Sequence, residues 1–427
     1  MAGLAAAVAL TRAGVAVRVY EQLDEVGGHM RSDRIGTATV DPAVQLVSST
    51  YTSLFALTRE TGTRDLLVLA PGRDALWRGE RVHGITYGSV GSMVTSSALP
   101  TMLKMRLGTR YLPFLNVSAR NLDANDPVAT GGVEHDDESV AAWGRREIGN
   151  DFVELLAYPL LAAYYGSLPE KTSAALYHGL ARTGMDVRVH VVTGGAGQLP
   201  RAIAGWLVAQ GGEVHTGSSV EAITVRDDAV RINADGGEWT CDAVVLATPS
   251  GTTRSLLAGM SSLTQWLDGV HTAPTATAAF LLDAPLDPDW FGLSFPRESR
   301  PGARIAAIAA QSRKLASLVP EGEAIVVYPE PEVGARIASA APQRIVDEVM
   351  PGLAAAFPGI EAHVLRARTY SFPEGYSLFP PGSLRHLQAF QQVDVPPRLA
   401  LAGDYLVAPS VEGAVRSGLR AAERLLR

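Results

Sequence analysis

The stretch that most restricts how this chain folds lies near its C-terminus. There a predicted strand, Leu399 to Ala402, runs into Gly403-Asp404 and then, past a loop, into Val411-Glu412-Gly413-Ala414-Val415. A short apolar strand that ends in Gly-Asp and leads to a Gly/Ala-rich helix start presents a carboxylate and free backbone N–H groups to a polar ligand. That is how a parallel sheet holds a nucleotide cofactor, and a counterpart sits at the opposite end of the chain.

The N-terminus reads as a small-residue helix that stops at Gly14, followed by a strand from Ala16 to Tyr20 and then Glu21. In a dinucleotide-binding unit an acid at the end of the second strand, roughly 20 residues after the glycine fingerprint, accepts hydrogen bonds from the adenosine ribose. Gly3 and Glu21 have that spacing. Next come Gly27-Gly28, where backbone must approach a ligand closely, and Arg31, placed to meet phosphate. Gly3 fills the third glycine's place in G-x-G-x-x-G, so the first two glycines and the first strand would lie upstream of Met1. The reading expects a native start about ten residues earlier, the alternative being a member that has shed its phosphate loop.

Taken together, several motifs resemble the FAD-dependent amine oxidase superfamily. They are Glu21, Gly27-Gly28-x-x-Arg31-Ser32, the Gly194–Pro200 loop, the strand from Cys241 through Thr248-Pro249, and Gly403-Asp404 with Glu412-Gly413-Ala414. The stretch Asp137 to Gly149, with Tyr158-Pro159-Leu160-Leu161 and Tyr165 to Glu170, resembles its protoporphyrinogen oxidase branch. The resemblance implies an α/β fold: a Rossmann-like FAD-binding domain with a parallel sheet, from 1–60, 190–258 and 395–427, and an inserted α+β substrate domain from 61–189 and 259–394. It implies noncovalent FAD, held by Gly3, Glu21, Gly27, Gly28, Arg31, Ser32, Gly197, Val220, Thr248, Pro249, Gly403, Asp404, Glu412, Gly413 and Ala414. Backbone at Val220 would face adenine, and Asp404 would bind the ribityl or phosphate region. A helix starting at about Glu412 would aim unpaired N–H groups, a dipole end of about half a charge, at the ring edge that becomes negative on reduction.

Composition removes other classes. With 37 basic and 44 acidic residues, a formal charge of −7 and no basic run with interleaved aromatics, nucleic acid is not the expected partner. One cysteine, Cys241, allows no intrachain disulfide, so a reducing cytoplasm is the expected setting. Cys241 is read as opening a buried strand, away from any flavin. The apolar N-terminus lacks a positive leader and is interrupted by Arg12, so it does not read as a signal peptide. No window holds about 18 uninterrupted apolar residues. Leu155 to Leu168 is the most apolar stretch and contains Pro159, which points to core or pocket wall, with weak peripheral membrane contact as the lesser alternative. A polar linker is expected from Asn121 to Asp137, strands at Ala276–Leu282 and Ala324–Tyr328, and helices at Leu199–Gln210 and near Pro342–Phe357.

For the chemistry, no catalytic residue is named: the cofactor carries it, and the pocket holds the donor carbon and excludes water. No metal site is expected from the scattered histidines. Tyr165, Tyr370, Tyr376 and Ser410 are the pocket candidates, with Tyr164, Phe372 and Phe379 as further aromatic walls and Arg366, Arg368 and Arg385 as cations that could meet a substrate carboxylate. Amine-oxidising relatives often place an aromatic two residues before Glu-Gly-Ala, where this chain has Ser410. The expected function is therefore oxidation of a cyclic or conjugated small molecule, with an amine or amino-acid oxidase, or a flavin-free protein on the same scaffold, as alternatives. The sequence leaves the oligomeric state open.

Overall fold

The computed structural model describes residues 1–70, 73–86, 89–185, 187–284, 286 and 289–427. Its opening helix, Ala2–Arg12, is almost all Ala, Leu and Val, which favour helix and permit close backbone approach. Gly14, at φ +82°, turns the chain away after it. The helix lies against the closing helix, Val411–Leu426, so tightly that a Cβ on Gly418 would sit 2.1 Å from the Ala2 carbonyl. Two parallel strand pairs lie beside this helix pair. Arg18–Tyr20 pairs with Glu213–His215, and Val244–Leu246 pairs with Leu399–Leu401.

A seven-stranded, mainly antiparallel sheet forms the other half of the molecule. Its order is Val364–Leu378, His271–Leu282, Glu323–Pro329, Ile305–Ala310, Gly292–Ser294, Asp74–Arg78, Arg81–Ile85, with one parallel pairing, Gly292–Ser294 with Asp74–Arg78. The period of two assigns the faces. Phe280, Ile308, Ile325 and Val327 pack under the helices Pro331–Ile337 and Pro342–Ala356, while Ala279, Ala307, Ala309 and Tyr328 look the other way. Both faces are covered, which is why these strands read as continuous apolar runs.

A helical layer closes over that second face. Tyr158–Tyr165 continues from Val153–Ala157 through a π turn, and Pro159 falls directly after that turn, where the altered hydrogen-bond register accommodates its missing N–H. The apolar stretch around it is buried, with Leu156, Tyr158, Leu161 and Ala162 inside, so it forms an inner wall. Ala174–Thr183 packs beside it around an aromatic cluster of Tyr111, Phe114, Trp143, Phe152 and Tyr177. No helix among the described residues is long and apolar enough to cross a membrane.

Two sequence expectations change here. The segment from Asn121 to Asp137 is not a solvated linker: Asn125, Asp126 and Asp136 are buried, and Asp136 accepts hydrogen bonds from the backbone N–H groups of Leu384 (2.8 Å) and Arg385 (3.3 Å). Its acids are there to cap and pair, a role that composition cannot distinguish from solvation. Cys241 closes the antiparallel strand Gly237–Cys241 rather than opening a buried one, and is half-buried.

Candidate cofactor and substrate cavity

A cavity of about 370 Å³ lies between the helix pair and the antiparallel sheet. One wall comes from the ends of the parallel segments: Met1-Ala2, Gly27-Gly28, Ala247 to Ser250, Gly403-Asp404 and Ala414. The opposite wall is aromatic, with Tyr164, Tyr165, Tyr328, Phe372 and Tyr376. The Tyr328 hydroxyl donates to the Ala43 carbonyl at 3.0 Å.

The first wall is shaped by backbone. Gly27, at φ +116°, has no room for a side chain, since a Cβ would meet the Met30 carbonyl at 2.6 Å. Gly28, at φ +61°, has open space where its Cβ would be, so its backbone is bare toward the cavity. Gly413 sits on the Ala408 carbonyl, at 2.1 Å from a notional Cβ, which sets the entry of the closing helix. Ser410 caps that helix by accepting from the Gly413 N–H at 3.0 Å.

This wall fits a flavin nucleotide on its own evidence. The opening helix starts at this wall, with Met1 and Ala2 lining the cavity. The buried Nε of Arg31 has no partner, which calls for an acceptor such as phosphate. Burial raises the Asp404 pKa against hydrogen bonds from Ser377 (2.8 Å) and the Tyr405 N–H. His29 faces the cavity with its ring edge-on to Phe372, 5.3 Å between ring centres. A polar, partly cationic, hydrogen-bonding wall with a bare glycine backbone suits a ribityl phosphate chain.

Behind the aromatic wall is a second chamber of about 290 Å³ inside the helical layer. Leu46, Tyr51, Tyr164, Tyr165, Pro409 and Ser410 line both spaces. Burial pushes the Tyr51 phenol up to about 12 and holds Tyr165 well above the ordinary tyrosine value, so both are neutral partition walls.

The fold distributes the sequence candidates unevenly. Gly27, Gly28, Thr248, Pro249, Gly403, Asp404, Ala414, Tyr165, Tyr376 and Ser410 line the main cavity, as do Tyr164 and Phe372. Gly3 lies one residue behind Ala2, with its notional Cβ 3.1 Å from Ala247. Glu21 accepts from the Leu23 N–H at 3.0 Å, and Val220 begins a strand at that same edge. Ser32 donates to Asp41 at 2.6 Å and accepts from the Gly197 N–H at 2.9 Å, so Ser32 and Gly197 fasten one loop to another. Glu412 is fully buried and accepts from the backbone N–H groups of Ser53 (2.8 Å) and Leu54 (2.9 Å) and from Arg416 (2.8 Å). It caps the neighbouring helix Thr52–Glu60. Tyr370 bonds Asp33, Phe379 lies in a separate core, and Arg368 and Arg385 pair with Asp33 and Asp137. None of these, nor Arg366, lines either space.

Sequence reasoning missed Tyr51, Asp74, His29 and Tyr328. A tyrosine directly after the aliphatic run Ala324–Val327 was the available signal for Tyr328. For Asp74 there was none.

The sequence profile of the flavin-containing amine oxidoreductases matches residues 1–426, so this chain belongs to that family. A structure provisionally described as a protoporphyrinogen oxidase from Exiguobacterium sp. 255-15 superposes with a TM-score of 0.78 at 18% identity, covering 100% of this chain and 97% of that one. Cyclohexylamine oxidase from Brevibacterium oxydans superposes with a TM-score of 0.74 at 17% identity, covering 99% and 96%. Identities this low speak for the fold alone. A provisionally named flavin-containing monoamine oxidase, AofH, of Mycobacterium tuberculosis is 26% identical over 260 residues, 58% of this chain and 55% of that one. The chain thus spans about half the length of the curated relatives it matches.

Proposed function

We propose that this protein is an FAD-dependent oxidoreductase. It would remove a hydride equivalent from a cyclic or conjugated, largely apolar small molecule, in the manner of a protoporphyrinogen oxidase, with reoxidation by oxygen or another acceptor. In this reading residues 1–60, 190–258 and 395–427 hold the cofactor, and 61–189 and 259–394 build the substrate site. The observation that carries it is one cavity with two unlike walls, glycine-rich backbone facing tyrosine and phenylalanine.

When bound, FAD supplies the two-electron acceptor. Arg31 and the start of the opening helix would meet its phosphates, Glu21 and Asp404 would take hydroxyl hydrogen bonds, and the closing helix would turn its positive end toward the ring. The aromatic wall orients the substrate and keeps water away. The relatives' names also fit an amine oxidase, but Ser410 offers no aromatic face to the cavity it lines.

An absorption spectrum of the purified protein tests the reading, since bound flavin gives bands near ~375 and ~450 nm. Asp404→Ala and Glu21→Ala should each lower flavin retention about tenfold. Equal flavin content in both variants and wild type removes those two assignments, and a colourless wild type removes the reading. Anaerobic mixing with reduced tetrapyrroles against simple primary amines, followed at ~450 nm, separates the substrate classes.

A further inference from the structure

The second chamber is lined by leucines and tyrosines and holds two charged side chains among the described residues, Asp74 and Lys104. Asp74 opens the strand Asp74–Arg78 and pairs in parallel register with Gly292, which lines the main cavity. A Cβ on Gly292 would sit 3.1 Å from Asp74 Oδ1 and 3.5 Å from the Tyr164 hydroxyl. The Asp74–Tyr164 pair therefore stands at the partition between the two spaces.

Tyr164 donates to Asp74 Oδ1 at 2.8 Å, and no cation pairs with Asp74 among the described residues. The adjacent Arg73 turns outward to Asp289. A carboxylate can accept about four hydrogen bonds and is costly to bury with fewer. Desolvation lifts its pKa to about 6, with the Tyr164 hydrogen bond opposing. At neutral pH the group is mostly ionised; it is partly buried, it lines the chamber, and among the described residues Tyr164 is the one side chain that donates to it.

We propose that Asp74, with Tyr164, docks a hydrogen-bond donor, an ammonium or a hydroxyl, carried by the substrate away from its reacting carbon. The inference rests on the flavoenzyme reading and narrows its substrate class to mostly apolar molecules with one donor-bearing end reaching into the second chamber.

Isothermal calorimetry of the purified protein with phenylbutylamine, phenylbutanol and phenylbutyrate tests it, with flavin content measured on the same samples. Wild type should bind the amine and the alcohol at least about tenfold tighter than the carboxylate, because charge-assisted hydrogen bonds are the strong ones. The amine-to-alcohol ratio reads which donor is preferred. Asp74→Asn should erase the preference, while Tyr164→Phe, which keeps the carboxylate, should retain it. Equal binding of all three probes, absence of binding, tightest binding of the carboxylate through Lys104, or a preference that survives Asp74→Asn overturns the proposal. Colourless protein with the preference intact sinks the flavoenzyme reading alone, and yellow protein without the preference sinks the docking point alone.

Discussion

The two walls of the main cavity are made in opposite ways. On the helix-pair side, proposed to hold the nucleotide, the surface is backbone, and what matters is where side chains are missing: Gly27 and Gly413 have no room for a Cβ, and Gly28 has room and leaves it empty. On the aromatic side, proposed to hold the substrate, the surface is side chain, contributed by sheet strands and helices far apart in sequence. A backbone wall has one shape and suits one ligand, whereas a side-chain wall can be resurfaced residue by residue. The comparison predicts that substitutions on the first side cost stability or cofactor, and on the second side change what binds.

The largest effect is expected at Glu412. Glu412→Ala leaves the Ser53 and Leu54 N–H groups without their acceptor and Arg416 without its nearest carboxylate, Asp126 remaining at 3.6 Å, and should cost about 4 kcal/mol in denaturant unfolding. A loss under about 1 kcal/mol would show the cap to be dispensable. Next, Ala414→Leu keeps helix propensity but fills the cavity, so retained flavin should fall about a hundredfold at unchanged melting temperature. Leu160→Ala, in the second chamber, should leave flavin content untouched. If both variants lose flavin equally, the contrast between the walls fails.

A smaller effect separates the walls by pH. His178 is fully buried against Trp143 and Phe114, and desolvation takes its pKa to about 3. The folded state thus refuses a proton that the unfolded chain accepts near its ordinary value of about 6.5. This contribution is complete above about pH 6.5 and is lost as pH falls toward 3, by about 1.4 kcal/mol per pH unit. His178→Phe should flatten the acid limb of a stability profile between pH 6 and 4, and an unchanged slope would show that the ring is not the titrating group.

Legibility in the sequence followed the same division. The strand-to-Gly403-Asp404 step, the Gly27-Gly28 turn and the long helices and strands could be read because local backbone conformation and side-chain period write themselves into short windows. Ser32 and Glu412 could not be placed that way. Both carry hydrogen-bonding groups inside a motif, and whether such a group faces a ligand or a neighbouring loop depends on partners 165 and 359 residues away. Tyr370 and Phe379 failed to reach the cavity for a related reason: Tyr370 shares a face with Phe372 but lies farther along the strand, and Phe379 falls past the strand's end in a separate core, positions that alternation alone does not give.

What the sequence by itself determined is the wall that depends on missing side chains: small residues at fixed spacing permit close approach whatever else surrounds them. The tertiary structure alone decided the second chamber, the partition of Tyr51, Tyr164 and Tyr165, and the position of Asp74 on it. Those features exist only where separate elements meet, because a cavity is bounded by residues that share space without sharing a stretch of chain.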